Sequence, residues 1–349
     1  MQITTIGLDL AKRVFQVHGV DGAGAVVVRR RLTRRTLRAF FAELPPCRVG
    51  LEACGSAHFW AREIAALGHD VRIMPPAYVK PYVKRGKNDA TDAAAICEAV
   101  SRPHMRFVPI KTEEQQSAQM LLTARDLAVR QQTMLINALR THMAELGVVA
   151  AKGAWNIAPL IAVIEDDADE SIPDLATRAL RPLVAQLRAI EATIAALDAE
   201  ILAWHRANER SRRLATIPGV GTLTAAAIAI AVPDAKVFAS GRAFAAWLGL
   251  VPRQASSGGK QRLGRIAKQG NRMIRRLLVL GATARLRAAR AGRDPASAWI
   301  RDLLARRPAR LVTVAMANKT ARIAWALLVR GEAYRAPGPA GGAVTAAAA

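Results

Sequence analysis

Four carboxylates and two adjacent hydroxyls are the side chains here whose type and spacing could do chemistry. Asp9, Glu52, Asp89 and Asp92 lie early in the chain, and Ser256 and Ser257 lie far downstream in Arg253-Gln-Ala-Ser-Ser-Gly-Gly-Lys260. Converging carboxylates repel one another and tolerate close approach around a hard cation. Mg²⁺ or Mn²⁺ takes oxygen ligands and keeps positions open for phosphate oxygens. Two such ions about 4 Å apart stabilise both the attacking and the leaving oxygen of an in-line displacement. Each acid also has a plainer role: Asp89 suits a helix N-terminus, and Asp9 suits a turn. The serines are surrounded by Arg253, Lys260, Arg262, Arg265, Lys268, Arg272, Arg275 and Arg276, and no acid occurs between Asp234 and Asp294. A hydroxyl on so cationic a loop is where a phosphodiester could be bound and attacked, although Ser-Ser-Gly-Gly by composition alone is a linker.

The elements that must position the acids are legible in the first hundred or so residues. Residues 2–10 read as a buried strand, residues 12–20 as a half-exposed strand and residues 25–32 as a third, with Asp21-Gly22 as a turn. A helix over residues 33–44 has Thr33 as its N-cap. A strand over 48–52, a helix over 57–67, a strand over 70–74 and a helix over 89–101 follow. The order predicts a mixed sheet with helices packed on it. Asp9 and Glu52 end the first and fourth strands. If these strands are neighbours, the two acids emerge side by side. Asp89 and Asp92, three apart, share one helix face and can close over them.

The middle of the chain is helical. Residues 111–146 contain no internal Pro or Gly before Gly147. The acid cluster at 165–170 reads as an exposed linker, with extra metal ligands as its alternative. From Leu180 to Trp204, apolar residues at Leu180, Leu183, Leu187, Ile190, Ile194, Leu197, Ile201 and Trp204 form a heptad seam. An antiparallel hairpin within one chain would satisfy it; the reading preferred here is a self-associating coiled coil giving a dimer or tetramer.

In the last third, Leu214-Ala-Thr-Ile-Pro-Gly-Val-Gly-Thr-Leu-Thr-Ala226 reads as a helix-hairpin-helix turn. There Pro218, Gly219 and Gly221 would let backbone N–H groups approach a phosphate; the plain alternative is a Gly-rich helix connection. Residues 244–250 read as a helix stopped by Pro252. Residues 272–290 read as a basic helix with Met273, Leu277, Leu280 and Ala284 inward, lying along a nucleic-acid backbone. Residues 307–329 form a further helix, and 335–349 a disordered tail. The domains expected are 1–108, a helical assembly region 109–208 and a C-terminal domain 209–334.

The whole chain of 349 residues carries a formal net charge of +24, which implies a polyanionic partner, by default nucleic acid. Part of the excess reflects a bias towards Arg over Lys. Three cysteines without paired spacing suit a reducing cytoplasm. No signal-peptide pattern or spanning apolar run is present, so the expected location is the cytoplasm, on the nucleoid when bound to DNA. Zinc spacings, a Walker loop, a dinucleotide fingerprint and internal repeats are absent.

Gly-Leu-Asp9-Leu-Ala-Lys12, Gly-Leu-Glu52-Ala-Cys-Gly-Ser56 and Lys87-Asn-Asp89-Ala-Thr-Asp92-Ala resemble the signature of the DEDD transposases of the family founded by insertion sequence IS110. Pro252 to Lys260, followed by Gly264-Arg-Ile-Ala-Lys-Gln-Gly-Asn-Arg272, is similar to that family's C-terminal motif, in the subgroup with the Ser-Ser-Gly-Gly loop. The resemblance covers about residues 3–330. It implies an N-terminal RuvC-like domain of ribonuclease-H fold, with Asp9, Glu52, Asp89 and Asp92 as metal ligands. It further implies a coiled coil through which subunits assemble and a mostly helical C-terminal domain. There a serine attacks DNA and holds it as a phosphoserine, with Ser257, which directly precedes glycine, favoured over Ser256. The family also implies a structured non-coding guide RNA that pairs with donor and target DNA. Two other readings stay open: a junction endonuclease that uses water, and a non-catalytic nucleic-acid-binding protein.

Overall fold

The computed structural model describes residues 2–83, 88–293 and 297–335. Lys87 and all of the expected tail except Arg335 lie outside the described residues. The chain divides into two compact units, one ending at Glu114 and one starting at Gln115. Among the described residues no helix is long and apolar enough to cross a membrane.

The first unit is the expected mixed α/β layer structure. Its strands are β1 (Thr5–Leu10), β2 (Val14–Val20), β3 (Val26–Thr33), β4 (Arg48–Glu52) and β5 (Asp70–Met74). Its helices are α1 (Arg34–Ala42), α2 (Ala57–Ala65), the short α3 (Pro76–Val79) and α4 (Asp89–Val100). The sheet order is β3-β2-β1-β4-β5. β1–β2 and β2–β3 are antiparallel, whereas β1–β4 and β4–β5 are parallel. Strands β1 and β4 sit centrally and are buried on both faces, so they read as near-continuous apolar runs. Edge strand β3 exposes Arg29, Arg30 and Arg31, charges that discourage edge pairing. As expected, Thr33 caps α1: its N–H donates to the Thr36 hydroxyl at 3.0 Å. Helices α1 and α2 bury Leu37, Phe40, Phe41, Trp60 and Ile64 against one face of the sheet, over Ile6, Leu8, Val49 and Leu51. Side chains alternate along a strand, so Gly7 and Gly50 face the other way, towards α4.

The second unit is all helix apart from one hairpin. It comprises α5 (Glu113–Glu145, which starts in the last residues of the first unit), α6 (Ala158–Glu165), α7 (Asp174–Ala207), α8 (Glu209–Ala215), α9 (Thr222–Ala231), α10 (Gly241–Trp247), β6 (Pro252–Gln254), β7 (Leu263–Ile266), α11 (Arg272–Arg290), α12 (Ser297–Arg306) and α13 (Ala309–Arg330). Its main core joins α8–α13 to Ala118 and Leu122 of α5 and Ile201 of α7. A second core, at the far end of the long helices, joins Ile136, Leu139 and Met143 to Leu180, Val184 and Leu187.

Helix α7 runs beside α5 of the same chain. Arg125 bonds Asp198, with Nη2 to Oδ2 at 3.0 Å, and Gln132 donates to Glu191 at 3.2 Å. One step of seven forward on α5 is one step of seven back on α7, an antiparallel hairpin in heptad register. Leu180 and Leu187 are buried among α5 and α6 residues, and Ile201 is buried in the main core. The seam was expected to serve a second subunit; within the chain its two ends are covered, while Ile190, Ile194 and Leu197 between them stay half-buried. The acid cluster at 165–170 is the expected exposed linker, tied back by Arg188 to Glu165 at 2.6 Å and by Arg181 to Asp167.

Candidate active site

The first unit brings its four acids to one end of α4. The parallel register of β1 and β4 runs from Thr5 beside Arg48 to Leu8 beside Leu51, so the next step sets Asp9 beside Glu52. Both acids follow a Gly-Leu pair. Residues two apart share a sheet face, so Asp9 and Glu52 lie on the α4 face with Gly7 and Gly50. Those glycines admit the helix: a Cβ on Gly7 would stand 2.2 Å from the Ala93 carbonyl, and one on Gly50 2.8 Å from Cβ of Val100. Helix α4 runs back along β1, with the Cys97 Sγ beside the Thr5 carbonyl at 3.7 Å. Its first turn, with Asp89 and Asp92, therefore falls at the Asp9 end.

That turn is fixed by a capping box. Asn88 Oδ1 accepts the Thr91 N–H at 2.8 Å, and the Thr91 hydroxyl accepts the Asn88 N–H at 3.2 Å. The non-acidic positions of Asn88-Asp-Ala-Thr-Asp92 thus hold the acidic ones, which sit at the positive end of the helix. Sequence reasoning missed Asn88 and Thr91, although Asn three residues before Thr at a helix start was the available signal.

The electrostatics show that the four acids share one field. Burial first, then the charges of Asp92, Asp89 and Glu52, push Asp9 up to about 6; the Leu10 N–H pulls the other way. The side chains do not form a coordination shell as they stand: among the described residues no three His, Cys, Asp or Glu side chains converge on one point. The donor set nevertheless fits a hard divalent cation. It is all oxygen, it stands on two strand ends and a capped helix, and its mutual repulsion is what a cation would relieve.

In the second unit the Ser-Ser-Gly-Gly segment is a hairpin tip. β6 and β7 pair antiparallel, with the Ala255 N–H on the Arg262 carbonyl at 2.9 Å. Ser257 and Lys260 form a bridge closed by the Lys260 N–H on the Ser257 carbonyl at 3.1 Å. Between them Gly258 and Gly259 have φ of 56° and 75°, the two positive values a type I′ turn requires. The segment that reads as a linker by composition is thus a defined turn with Ser257 at its shoulder. Ser256 is committed to the hairpin, its Oγ accepting the Arg262 N–H at 3.2 Å. Arg253, Lys260, Arg262, Arg265 and Lys268 are all exposed along it.

The remaining expected contacts divide. Arg272 is exposed at the start of α11, just after the Asn271 cap. Arg275 is turned inward, donating to the carbonyls of Leu248 at 2.9 Å and Gln269 at 2.6 Å, and Arg276 pairs with Asp126 of α5. These two hold the hairpin base and the long helix. The buried stripe of α11 is Ile274, Leu277, Leu278, Ala282, Leu286 and Ala289, while Leu280 is 57% exposed. Of the four positions expected to face inward, Leu277 is buried and Met273 is half-buried against the core, while Leu280 and Ala284 are exposed. Gly219 lies in the expected turn between two helices, α8 and α9. It supplies the positive φ of a turn after Pro218, closed by the Val220 N–H on the Ile217 carbonyl at 2.9 Å. A Cβ there would meet Arg285 Cδ at 2.8 Å, so Gly219 packs on α11. Gly221, just before α9, has open space around it.

Comparison with known proteins gives two family matches, one to a DEDD transposase model of IS110 over residues 6–147 and one to the transposase IS116/IS110/IS902 family over residues 211–296. "Probable family 20 transposase" of Pseudomonas aeruginosa is 50% identical, over 96% of this chain and 99% of its own length. "Transposase for insertion sequence element IS1111A" of Coxiella burnetii is 42% identical, over 95% and 92%. The chain belongs to the IS110/IS116 transposase family. A third relative, "Transposase for insertion sequence element IS1328" of Yersinia enterocolitica, is 38% identical, over 95% of this chain and 98% of its own. The first family match contains all four acids. The second contains the turn at Pro218–Gly221, both serines and α11. The four acids and the two serines thus fall in different units of the chain.

Proposed function

We propose that the protein moves an insertion sequence by cutting and rejoining DNA, with the four acids and a serine acting on one phosphodiester. The observation that carries this reading is the shared field on Asp9, which marks Asp9, Glu52, Asp89 and Asp92 as one cluster. Those four residues would hold Mg²⁺ or Mn²⁺, which supplies charge stabilisation at phosphate oxygens and lowers the proton affinity of a bound hydroxyl. Ser257 is the nucleophile, presented at the shoulder of a rigid turn. Its Oγ forms the new bond to phosphorus, the strand's own P–O bond breaks, and the released DNA end keeps the proton as a hydroxyl. One phosphodiester replaces another, so rejoining to a new strand requires no ATP. Arg253, Lys260, Arg262 and Arg265 neutralise charge on the non-bridging oxygens.

The partners in this reading are DNA at element ends and target, a structured guide RNA and further copies of the chain. The charge of +24 supports a polyanion of either kind. Strand exchange needs several active sites, which supports a dimer or tetramer. Three free cysteines suit action in the cytoplasm on nucleoid DNA.

The test is a denaturing gel after reaction on element-end DNA with Mg²⁺. A detergent-resistant protein–DNA adduct is expected from the wild type and from Ser256→Ala, and none from Ser257→Ala. Cleavage at the wild-type rate by the double serine variant would establish water as nucleophile. Asp9→Asn should retain DNA binding and lose cleavage; full cleavage would remove the acids from the mechanism.

A further inference from the structure

The α4 face of the first unit carries a second feature, at the opposite end of the helix from the acids. Arg48 opens β4, Arg72 lies in β5 opposite Gly50, and Arg102 follows the end of α4. Alternation along the strands puts Arg48 and Arg72 on the same face as Gly50. With Ser101, Pro103 and Phe107 they line a cavity of about 260 Å³. The Arg72 guanidinium lies over the Phe107 ring at 5.5 Å, which holds it flat.

The acids here do not match the cations. Asp70 alone serves two guanidiniums, accepting from Arg72 Nε at 2.7 Å and Arg48 Nε at 3.3 Å, and Arg102 pairs with Glu98. Each arginine side chain is about half exposed. Such pairs contribute little and exchange readily for a better acceptor. A guanidinium has five donors, and a tetrahedral oxyanion can use two at once. The cavity is smaller than most sites for a free small molecule, about 300–1,000 Å³, and its walls are open, which suits a segment of a polymer.

We propose that this cavity binds a backbone phosphate of the nucleic-acid strand that runs along α4 to the acid cluster. The inference rests on the nucleic-acid role proposed above. Helix α4 has 12 residues, about 18 Å at 1.5 Å each. A duplex strand advances about 3.4 Å per phosphate. The anchored phosphate is thus a few nucleotides along the strand from the one that a cation at the acids would bind.

The experiment measures binding of fluorescent duplex DNA, single-stranded DNA and an RNA hairpin to the full chain across a salt series. In Arg72→Ala/Arg102→Ala, affinity should fall about tenfold and the slope of log K against log salt should lessen by one to two. The polymer that shows the change identifies DNA or RNA as the source of the phosphate. Asp70→Asn, which frees two guanidiniums, should tighten binding severalfold. Unchanged affinity and slope on all three polymers overturns the proposal. So does Asp70→Asn weakening binding as the alanine pair does, because the arginines would then be structural. Serine–DNA adduct formation alongside unchanged slopes would defeat this inference and leave the proposed function standing.

Discussion

Asp9 is pushed up to about 6 by burial and its three acidic neighbours, while His58 is pushed down to about 4 by burial, then by Lys111 and Arg62. The two residues give the first unit opposite pH signatures. An acid whose pKa rises on folding contributes most below its unfolded value, and that contribution is lost as pH rises through about 6. A histidine whose pKa falls on folding contributes fully above its unfolded value, and that contribution is lost as pH drops towards about 4. Each is worth on the order of 1 kcal/mol after discounting for solvent. In metal-free protein between pH 4 and 6.5 the two oppose each other. Melting followed with EDTA should show a flat wild-type profile. In Asp9→Asn the melting temperature should rise with pH. In His58→Asn it should fall, the amide oxygen keeping the acceptor that Nδ1 gives the Lys111 N–H at 3.2 Å. Parallel profiles in all three would refute the assignment. The acids were legible in the sequence because Asp9 and Glu52 close recognisable strands and Asp89 and Asp92 open a recognisable helix. His58 was not, because only the fold brings Lys111 to it.

At the scale of elements, two glycine pairs do work that no side chain could. Gly7 and Gly50 let α4 lie directly on β1 and β4, and that contact sets Asp89 and Asp92 against Asp9. Gly7→Ala should cost about 1–3 kcal/mol, the usual cost of overpacking. It should also shrink the rise in melting temperature on adding Mg²⁺, since the displaced helix carries two of the proposed ligands. A destabilised variant with a full Mg²⁺ response would separate packing from ion binding. Gly258 and Gly259 make the I′ turn. Replacing both with Ala costs about 1–2 kcal/mol per residue in left-handed backbone, enough to open the exposed hairpin locally; this should abolish the serine–DNA adduct while melting of the core changes little. Strands β1 to β5 could be read from period-two patterns and turn residues. The β6–β7 hairpin could not: its strands are short, polar and solvated, and their one clear signal was Gly-Gly between them. The stripe of α11 was read half right, at Met273 and Leu277, because two stripes of equal spacing compete, and only the packing of Ile274 and Leu278 decides between them.

For the whole molecule the decisive quantity is how much of the +24 charge meets phosphate. Composition names a polyanion and cannot say which cations reach it. The fold partly does, since Arg275 and Arg276 are occupied inside the second unit while Arg265 and Lys260 are exposed on the hairpin. Arg265→Ala should therefore leave melting unchanged and lower the salt slope of DNA binding by about one. Arg275→Ala should leave the slope unchanged and cost about 1–3 kcal/mol of stability, because the carbonyls of Leu248 and Gln269 lose their donor. If at least six phosphates are neutralised in all, wild-type affinity should fall about a thousandfold or more between roughly 50 and 200 mM salt. Titration by fluorescence anisotropy at four salt concentrations measures all three slopes. A flat wild-type line would mean that the exposed arginines of the hairpin and of α11 do not face DNA, and Ser257 would then have no phosphodiester to attack.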